Sequence, residues 1–171
     1  PPVGKNRWRV PQPAQNWEGV RDCFRFGAIA MQDVPSGNGF YDKEWHNDPA
    51  RDEMAVMSED CLQLNVWTPA KSADERLPVM VWIYGGGPNW GPPSEMEFDG
   101  ERIARRGVVL VSVNYRINVF GFLAHPEITA EAGGVNCANF GLYDQKAGID
   151  WVRRNIANFG GDPNNITVFG Q

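Results

Sequence analysis

Three consecutive glycines, Gly85 to Gly87, directly follow an apolar segment that ends at Tyr84. A glycine backbone can bend so that successive N–H groups converge on one point, which is what an oxyanion hole requires. A tight turn after a strand would use the same residues. A phosphate-binding loop does not fit the spacing, because Trp90 stands where a third glycine is needed and no Gly-Lys-Ser/Thr occurs. The triad therefore predicts either an oxyanion-binding loop or a plain turn.

Gly170-Gln171 is the second motif, and it follows a short apolar segment at residues 166–169. In a nucleophile elbow, the pattern G-x-S-x-G occupies a strained turn between a strand and a helix, from which the serine hydroxyl projects. A Gly-Gln pair after a strand is also an ordinary turn. The pair matches the first two positions of an elbow and contains no nucleophile.

The cysteines do not predict a metal site. Cys23, Cys61 and Cys137 are odd in number, form no CxxC motif and have no histidine at a zinc-binding distance in sequence. They allow at most one internal disulfide, and buried free thiols are the interpretation we favour.

The motifs need strands and helices to position them. Residues 79–84 and 108–113 are continuous apolar runs, typical of strands buried on both faces of a sheet. Between them, residues 100–107 predict a short helix that ends on a glycine and has arginines near its negative end. Residues 61–67 predict a further strand, which precedes the other two.

The last third of the chain predicts a long helix and a strand. Gly141 to Phe159 place apolar residues on one helical face, namely Leu142, Ile149, Val152, Ile156 and Phe159. Residues 160–163 should end this helix, and residues 166–169 should form the next strand. The order of elements predicts an α/β protein with a mostly parallel sheet and right-handed crossovers.

The first sixty residues are rich in Pro, Gly, Asn and Asp, which predicts a surface dominated by loops. Ser36 to Asp52 are polar and turn-rich but contain three aromatic residues, which suits a loop that covers a cleft. The chain begins Pro1-Pro2-Val3-Gly4, without an initiator methionine or a signal-peptide pattern, so the compartment is not indicated.

Composition excludes two classes of partner. The 171 residues carry a formal net charge of −5, with both signs mixed along the chain and no basic stripe, so we expect no nucleic-acid partner. No apolar run approaches the roughly 18 to 20 residues that a bilayer span needs, so we expect no membrane span.

Several motifs in order give the chain a family resemblance. It resembles the type-B carboxylesterases and cholinesterases in residues 1–4, 7–8, 17–20, 59–67, 81–87, 114–116, 120–123, 139–145 and 155–171. The resemblance covers nearly the whole chain, and it implies an α/β-hydrolase fold with a doubly wound, mostly parallel sheet. It also implies that residues 1–171 are the N-terminal part of a single catalytic domain, with further strands before and after them.

The resemblance implies that a nucleophilic serine directly follows Gln171, and that an acidic residue and a histidine lie much further along the polypeptide. Histidine is the usual general base. His46 and His125 are then a loop residue and a helix-boundary residue respectively, and neither is the base.

Within this chain the resemblance places the oxyanion hole at the backbone N–H groups of Gly86 and Gly87. Pro88 departs from the family pattern and has no N–H to donate, so we expect it to reshape the acyl pocket without removing the hole. Asn89 and Trp90 become candidates for substrate binding. The alternative for Trp90 is a ring that is simply packed.

Structural residues also follow from the resemblance. It pairs Arg7 with Glu59 and Arg116 with Asp144, and we expect both ion pairs to be short and poorly exposed; the alternative is solvated surface charges. Cys61 stands at a family disulfide position, but Ala30 replaces the usual partner, which puts the bridge in doubt.

The function implied is hydrolysis of a carboxylic ester through an acyl-serine intermediate, with no metal or organic cofactor. The expected partners are a small-molecule carboxylic ester and the remainder of the polypeptide. Two alternatives remain: a catalytically inactive, cholinesterase-like interaction domain, and a lipase or amidase of the same fold.

Overall fold

The computed structural model describes residues 1–33, 56–95, 98–135 and 138–171, together with the backbone of residues 46–48 and 53–54. Its strands are β1 (His46–Asp48), β2 (Glu53–Met54), β3 (Leu64–Trp67), β4 (Leu77–Ile83), β5 (Val109–Val113) and β6 (Gly161–Gly170). Its α-helices are α1 (Glu101–Ala104), α2 (Asn118–Phe122), α3 (Pro126–Glu131) and α4 (Phe140–Asn155).

The main sheet has four strands in the order β3-β5-β4-β6. Strand β4 pairs in parallel with both β5 and β6, whereas β3 pairs antiparallel with β5. The register places Val81 beside Val111 on one side and beside Val168 on the other. The predicted mostly parallel sheet is therefore confirmed, with one antiparallel strand at its edge.

The core lies where the central strands meet α4. All five residues of β5 are buried, and three of them are valines, whose β-branched side chains pack well on a pleated surface. Val79 and Val81 of β4 are at most 1% exposed, and Val152 and Ile156 cover them from the helix side. The two apolar runs of the sequence thus form the centre of the sheet, as predicted.

Strand β3 is shorter than the predicted strand at residues 61–67. Its pairing with β5 runs from Leu64 to Trp67, and just before it the Gln63 carbonyl accepts a hydrogen bond of 2.9 Å from the Asn114 N–H. Beyond that bond, Cys61 leaves the sheet and packs with Ala30, Tyr84 and Tyr115. Helix α1 is also shorter than predicted, and a turn follows it to Gly107, whose φ is +85°.

Helix α4 buries only part of its predicted apolar face. Val152 and Ile156 are fully buried, whereas Leu142 is 53% exposed and Phe159 is 37% exposed. The reason is the point at which the helix meets the sheet: a Cβ added to Gly148 would lie 2.6 Å from Val113. The first turn, before that contact, packs instead against residues 116–122.

The end of the helix and the last strand lie close to their predicted places. A 3-10 turn, Ile156–Phe159, extends α4, and Gly160 ends it with φ +77°, a conformation that favours glycine. Strand β6 then begins at Gly161, earlier than predicted, and includes Pro163. A proline is tolerated there because β6 is at the edge of the described sheet, where Val168 is 48% exposed.

Both cysteines that the structure describes are free thiols. Cys23 is exposed, whereas Cys61 is 1% exposed and packs in one apolar cluster with Ala30. Burial raises the pKa of the Cys61 thiol to about 12. Cys137 lies outside the described residues. An alanine at the position of the expected disulfide partner therefore leaves Cys61 as a buried apolar contact.

We predict that native protein treated with a maleimide at pH 8 is labelled at Cys23 and not at Cys61. With a pKa of about 12, only about one Cys61 side chain in ten thousand is a thiolate at pH 8, and the thiolate is the nucleophile. Peptide mass mapping before and after unfolding in urea measures this difference. Equal labelling of the two thiols in the native state would contradict the burial of Cys61.

The early part of the chain has little regular structure, as predicted. Residues 1–33 contain one 3-10 turn, Gly4–Asn6, and a single bridge from Ile29 to Met57. The predicted cleft loop, Ser36 to Asp52, lies outside the described residues except for the backbone of β1. Over the part of the chain that the structure describes, no helix is both long enough and apolar enough to cross a bilayer.

Candidate active site

The parallel strands β4 and β6 end side by side, and this brings the two sequence motifs together. Ile83 is in register with Gly170, and the Gln171 N–H lies 3.4 Å from the Ile83 carbonyl oxygen. A Cβ added to Gly85 would lie 2.8 Å from the Cβ of Gln171. The glycine triad and the Gly-Gln pair therefore touch at the carboxyl edge of the sheet, which is where ligands bind in open α/β sheets.

Two residues of the triad have backbone conformations that favour glycine. Gly86 has φ +103° and Gly87 has φ +64°. At Gly86 space is also lacking, because an added Cβ would lie 2.7 Å from the Trp90 carbonyl oxygen. An added Cβ at Gly87 would meet nothing within 4 Å. Gly86 is thus required by both conformation and packing, and Gly87 by conformation alone.

The N–H groups of Gly86 and Gly87 are available to a ligand. Neither group donates a hydrogen bond to any acceptor in the described ranges, and both residues are exposed. Two N–H groups at a bend that have no acceptor of their own can bind an oxygen that carries negative charge. The loop therefore has the donors that an oxyanion site needs.

Asn89 and Trp90 lie in the exposed part of the same loop. Trp90 is 44% exposed, which does not fit the alternative of a ring that is simply packed. The backbone of Trp90 folds back over Gly86, as the close approach of its carbonyl oxygen indicates. Pro88 cannot donate, but its carbonyl oxygen accepts a hydrogen bond from the Asn118 N–H.

A pair of stacked tyrosines supports the start of the loop. The rings of Tyr84 and Tyr115 are 4.3 Å apart and stacked, and each hydroxyl donates to the backbone carbonyl of the other residue, at 3.0 and 2.7 Å. Burial raises the pKa of Tyr115 to about 12 and that of Tyr84 well above its ordinary value. Both hydroxyl groups are therefore neutral and donate hydrogen bonds, which fix the end of the strand just before Gly85.

Sequence reasoning missed two further residues that hold the loop, Gln32 and Asn118. The Gln32 side chain bonds both backbone groups of Gly91, and the Asn118 side chain donates to the Met31 carbonyl. Asn118 could have been found, since asparagine tolerates its φ of +47° better than most residues. Nothing in the sequence around Gln32 indicates its contacts.

Arg116 and Asp144 form a buried ion pair, with side chains 3% and 0% exposed. Two side-chain bonds of 2.7 Å join them, and the Arg116 backbone N–H donates to the same carboxylate at 3.1 Å. Arg116 also donates to the Arg9 carbonyl and lies over the Phe140 ring. Its Nη1 atom is buried without a partner among the described residues. This pair ties the segment that follows β5 to the N-terminal part of α4.

Arg7 and Glu59 also form an ion pair, with two bonds of 2.5 Å. Their side chains are 38% and 22% exposed, so the expectation of poor exposure was wrong for Arg7. The residues around it lie in loops near the surface and leave the guanidinium open to water. The hydrogen bond from Arg7 holds the pKa of the Glu59 carboxyl below its ordinary value.

The two histidines lie in different elements of the structure. His125 is an exposed residue at the start of α3, where its Nδ1 accepts from the Glu127 N–H at 3.3 Å, so the helix-boundary prediction is confirmed. His46 lies in the short strand β1, whereas the sequence predicted a loop at this position. The described residues contain no group of three or more His, Cys, Asp or Glu side chains that could hold a metal ion.

Comparison with known proteins places the chain in a family. The model of the carboxylesterase family matches residues 1–171. The chain is 42% identical to fumonisin B1 esterase from Sphingopyxis macrogoltabida, 44% to acetylcholinesterase from Electrophorus electricus and 42% to para-nitrobenzyl esterase from Bacillus subtilis. These matches cover 100% of the chain but only 29%, 26% and 32% of the three relatives.

The chain thus spans about a quarter to a third of the length of the curated relatives it matches. The mixed, mostly parallel sheet with its helices is consistent with part of the α/β-hydrolase fold that this family has. With the match extending over every residue, the chain belongs to the carboxylesterase family.

Proposed function

We propose that the polypeptide containing this chain hydrolyses carboxylic esters through an acyl-serine intermediate. A serine directly after Gln171 is the nucleophile, and the N–H groups of Gly86 and Gly87 form the oxyanion hole. The contact between Gly85 and Gln171 is the observation that carries the proposal, because it brings the glycine triad next to the residue that precedes the expected nucleophile. Membership of the carboxylesterase family and the esterase relatives support the same activity.

The reaction has two steps of the same kind. In the first, the serine oxygen bonds to the ester carbonyl carbon, a histidine elsewhere in the polypeptide takes its proton, and the carbonyl oxygen becomes an oxyanion. Gly86 and Gly87 donate to this oxygen at roughly 2.7 to 3.1 Å. The intermediate then collapses, the alcohol leaves with the proton, and an acyl-serine remains. In the second step, water attacks the carbonyl carbon of the acyl-serine in the same way, and the acid and the free serine are released.

This chain gives the site its shape near the acyl group. Asn89 and Trp90 follow the donors on the exposed loop, and we propose that they contact substrate. Pro88 contributes no third donor from its own position, so further stabilisation must come from the N–H after the serine. The substrate is a small carboxylic ester, and the chemistry requires no metal or organic cofactor.

The test is hydrolysis of a short-chain aryl ester, 4-nitrophenyl acetate, by the complete polypeptide. We expect turnover that a dialkyl organophosphate abolishes, with the phosphoryl group attached to the serine after Gln171 in mass spectra. Residues 1–171 alone, the matched control, should give no turnover that the organophosphate inhibits. An intact polypeptide that neither hydrolyses the ester nor reacts with the organophosphate would instead favour an inactive interaction domain.

A further inference from the structure

The Gln32 side chain holds Gly91 by both of its backbone groups. The Gly91 N–H donates to Gln32 Oε1 at 2.9 Å, and Gln32 Nε2 donates to the Gly91 carbonyl oxygen at 3.2 Å. The same Nε2 donates to the Ala30 carbonyl oxygen at 3.1 Å. A side-chain amide that makes all three bonds fixes both the position and the orientation of the backbone at Gly91.

Gly91 is the point at which the glycine loop, residues 85–91, closes on itself. Its φ is +108°, and an added Cβ would lie 2.6 Å from the Gly85 carbonyl oxygen and 2.5 Å from the Tyr84 ring. The two ends of the loop are therefore in contact. Whatever fixes Gly91 also fixes the base from which Gly86 and Gly87 extend.

The segment that contains Gln32 holds the loop at a second point as well. The Met31 carbonyl oxygen accepts from Asn118 Nδ2 at 2.5 Å, and the Asn118 N–H in turn donates to the Pro88 carbonyl oxygen. Residues 30–32 thus secure the loop at Gly91 directly and at Pro88 through Asn118. Between these two points, Asn89 and Trp90 are exposed.

We propose that Gln32 is a positioning residue for the oxyanion hole. It contacts no reacting atom; it holds the base of the loop on which the N–H groups of Gly86 and Gly87 are exposed and without an acceptor in the described ranges. This inference rests on the proposed function, since it assigns a role within that reaction. Glycines lose much conformational entropy on ordering, so a loop with four of them in seven residues needs such an external support.

The expected effect of losing Gln32 is on the transition state more than on substrate binding. A displacement of reacting groups by about 1 Å can cost about 100-fold in rate, and partial loosening of the loop should cost less. An oxyanion exists only after attack, so its stabilisation appears in kcat and leaves KM nearly unchanged. A loss of general stability would instead lower the amount of folded enzyme.

The test compares Gln32→Met with Gln12→Met in the complete polypeptide. Methionine matches the length of glutamine without its amide, and Gln12 is an exposed glutamine whose one hydrogen bond to the described residues is to the Val10 carbonyl. For Gln32→Met we expect kcat per folded molecule to fall about 10-fold with KM within about twofold. The affinity for a trifluoromethyl ketone, which forms a tetrahedral oxyanion on the serine, should fall by the same factor. Gln12→Met should change neither quantity by more than about twofold.

Gln32→Glu is a second variant, which keeps a polar side chain of the same length at this position. A protonated carboxyl group has one donor and one acceptor and can replace both bonds to Gly91, whereas a carboxylate cannot donate. The ratio of its kcat to that of the wild type should therefore rise as the pH is lowered from 8 to 5.5. A role limited to folding would leave this ratio constant for folded enzyme.

Wild-type values of kcat and ketone affinity in Gln32→Met would overturn the positioning role while the esterase function stands. A wild-type polypeptide that neither turns over the ester nor binds the ketone would overturn both proposals. The two failures are distinguished by the wild type alone.

Discussion

Replacing Gly86 by alanine is expected to lower kcat about 100-fold or more in the complete polypeptide. The added Cβ would lie 2.7 Å from the Trp90 carbonyl oxygen and 2.9 Å from its carbonyl carbon, both backbone atoms that cannot move independently. With φ at +103° the alanine is also strained. The loop must shift, and loss of one oxyanion donor typically costs about 2.7 to 4 kcal/mol, or roughly 100- to 1000-fold in rate.

Gly87→Ala is the matched control for this prediction. Gly87 is the neighbouring donor, but an added Cβ there meets no atom within 4 Å. Its φ of +64° lies in the left-handed region, where a non-glycine residue costs about 1 to 2 kcal/mol. Even if this whole cost appeared in the rate it would amount to roughly 5- to 30-fold, so we expect a smaller kcat loss than for Gly86→Ala, measured with 4-nitrophenyl acetate at saturation. Equal losses for the two variants would contradict the geometry described for the loop.

Asp144→Asn is expected to destabilise the complete polypeptide by about 3 to 5 kcal/mol, because it leaves the Arg116 charge buried and uncompensated. The carboxylate accepts two bonds from the guanidinium and one from the Arg116 N–H, and both side chains are at most 3% exposed. An asparagine amide has only one oxygen and cannot reproduce this set. Urea denaturation followed by tryptophan fluorescence measures the loss.

Glu101→Gln provides the control for the buried pair. Glu101, the first residue of α1, pairs with Arg105, which directly follows that helix, but the two side chains are 62% and 75% exposed. Exposed pairs of this spacing contribute about 0.3 to 0.5 kcal/mol, so this variant should unfold at nearly the wild-type urea concentration. If Asp144→Asn were as mild as Glu101→Gln, the Arg116–Asp144 pair would be an ordinary surface contact.

The central strands of the sheet could be predicted because their signal is local. The valines of β4 and β5 form continuous apolar runs, and burial on both faces of a sheet requires that composition. That the glycine triad and Gln171 share one site was an implication of the family resemblance and not of the apolar runs; the structure shows that they lie at the carboxyl ends of neighbouring parallel strands. Gly85 and Gln171 are 86 positions apart in sequence, and the pairing of β4 with β6 brings them together.

Tertiary contacts that leave no periodic signal were not predictable. The exposure of Leu142 depends on where α4 meets the sheet, at Gly148, and the helical pattern contains no information on that point. The contacts of Gln32 likewise depend on a side chain reaching a loop 59 positions away. Glutamine is common on protein surfaces, so its residue type indicates nothing of this role.

A crystal structure of the complete polypeptide with a trifluoromethyl ketone bound to the serine after Gln171 would test the oxyanion hole most directly. We expect the ketone oxygen to lie about 2.7 to 3.1 Å from the nitrogen atoms of both Gly86 and Gly87. We also expect the loop to keep its contact with Gln32. An adduct whose oxygen points to bulk solvent, or is bound by donors other than these two N–H groups, would contradict the assignment of the oxyanion hole to the glycine triad.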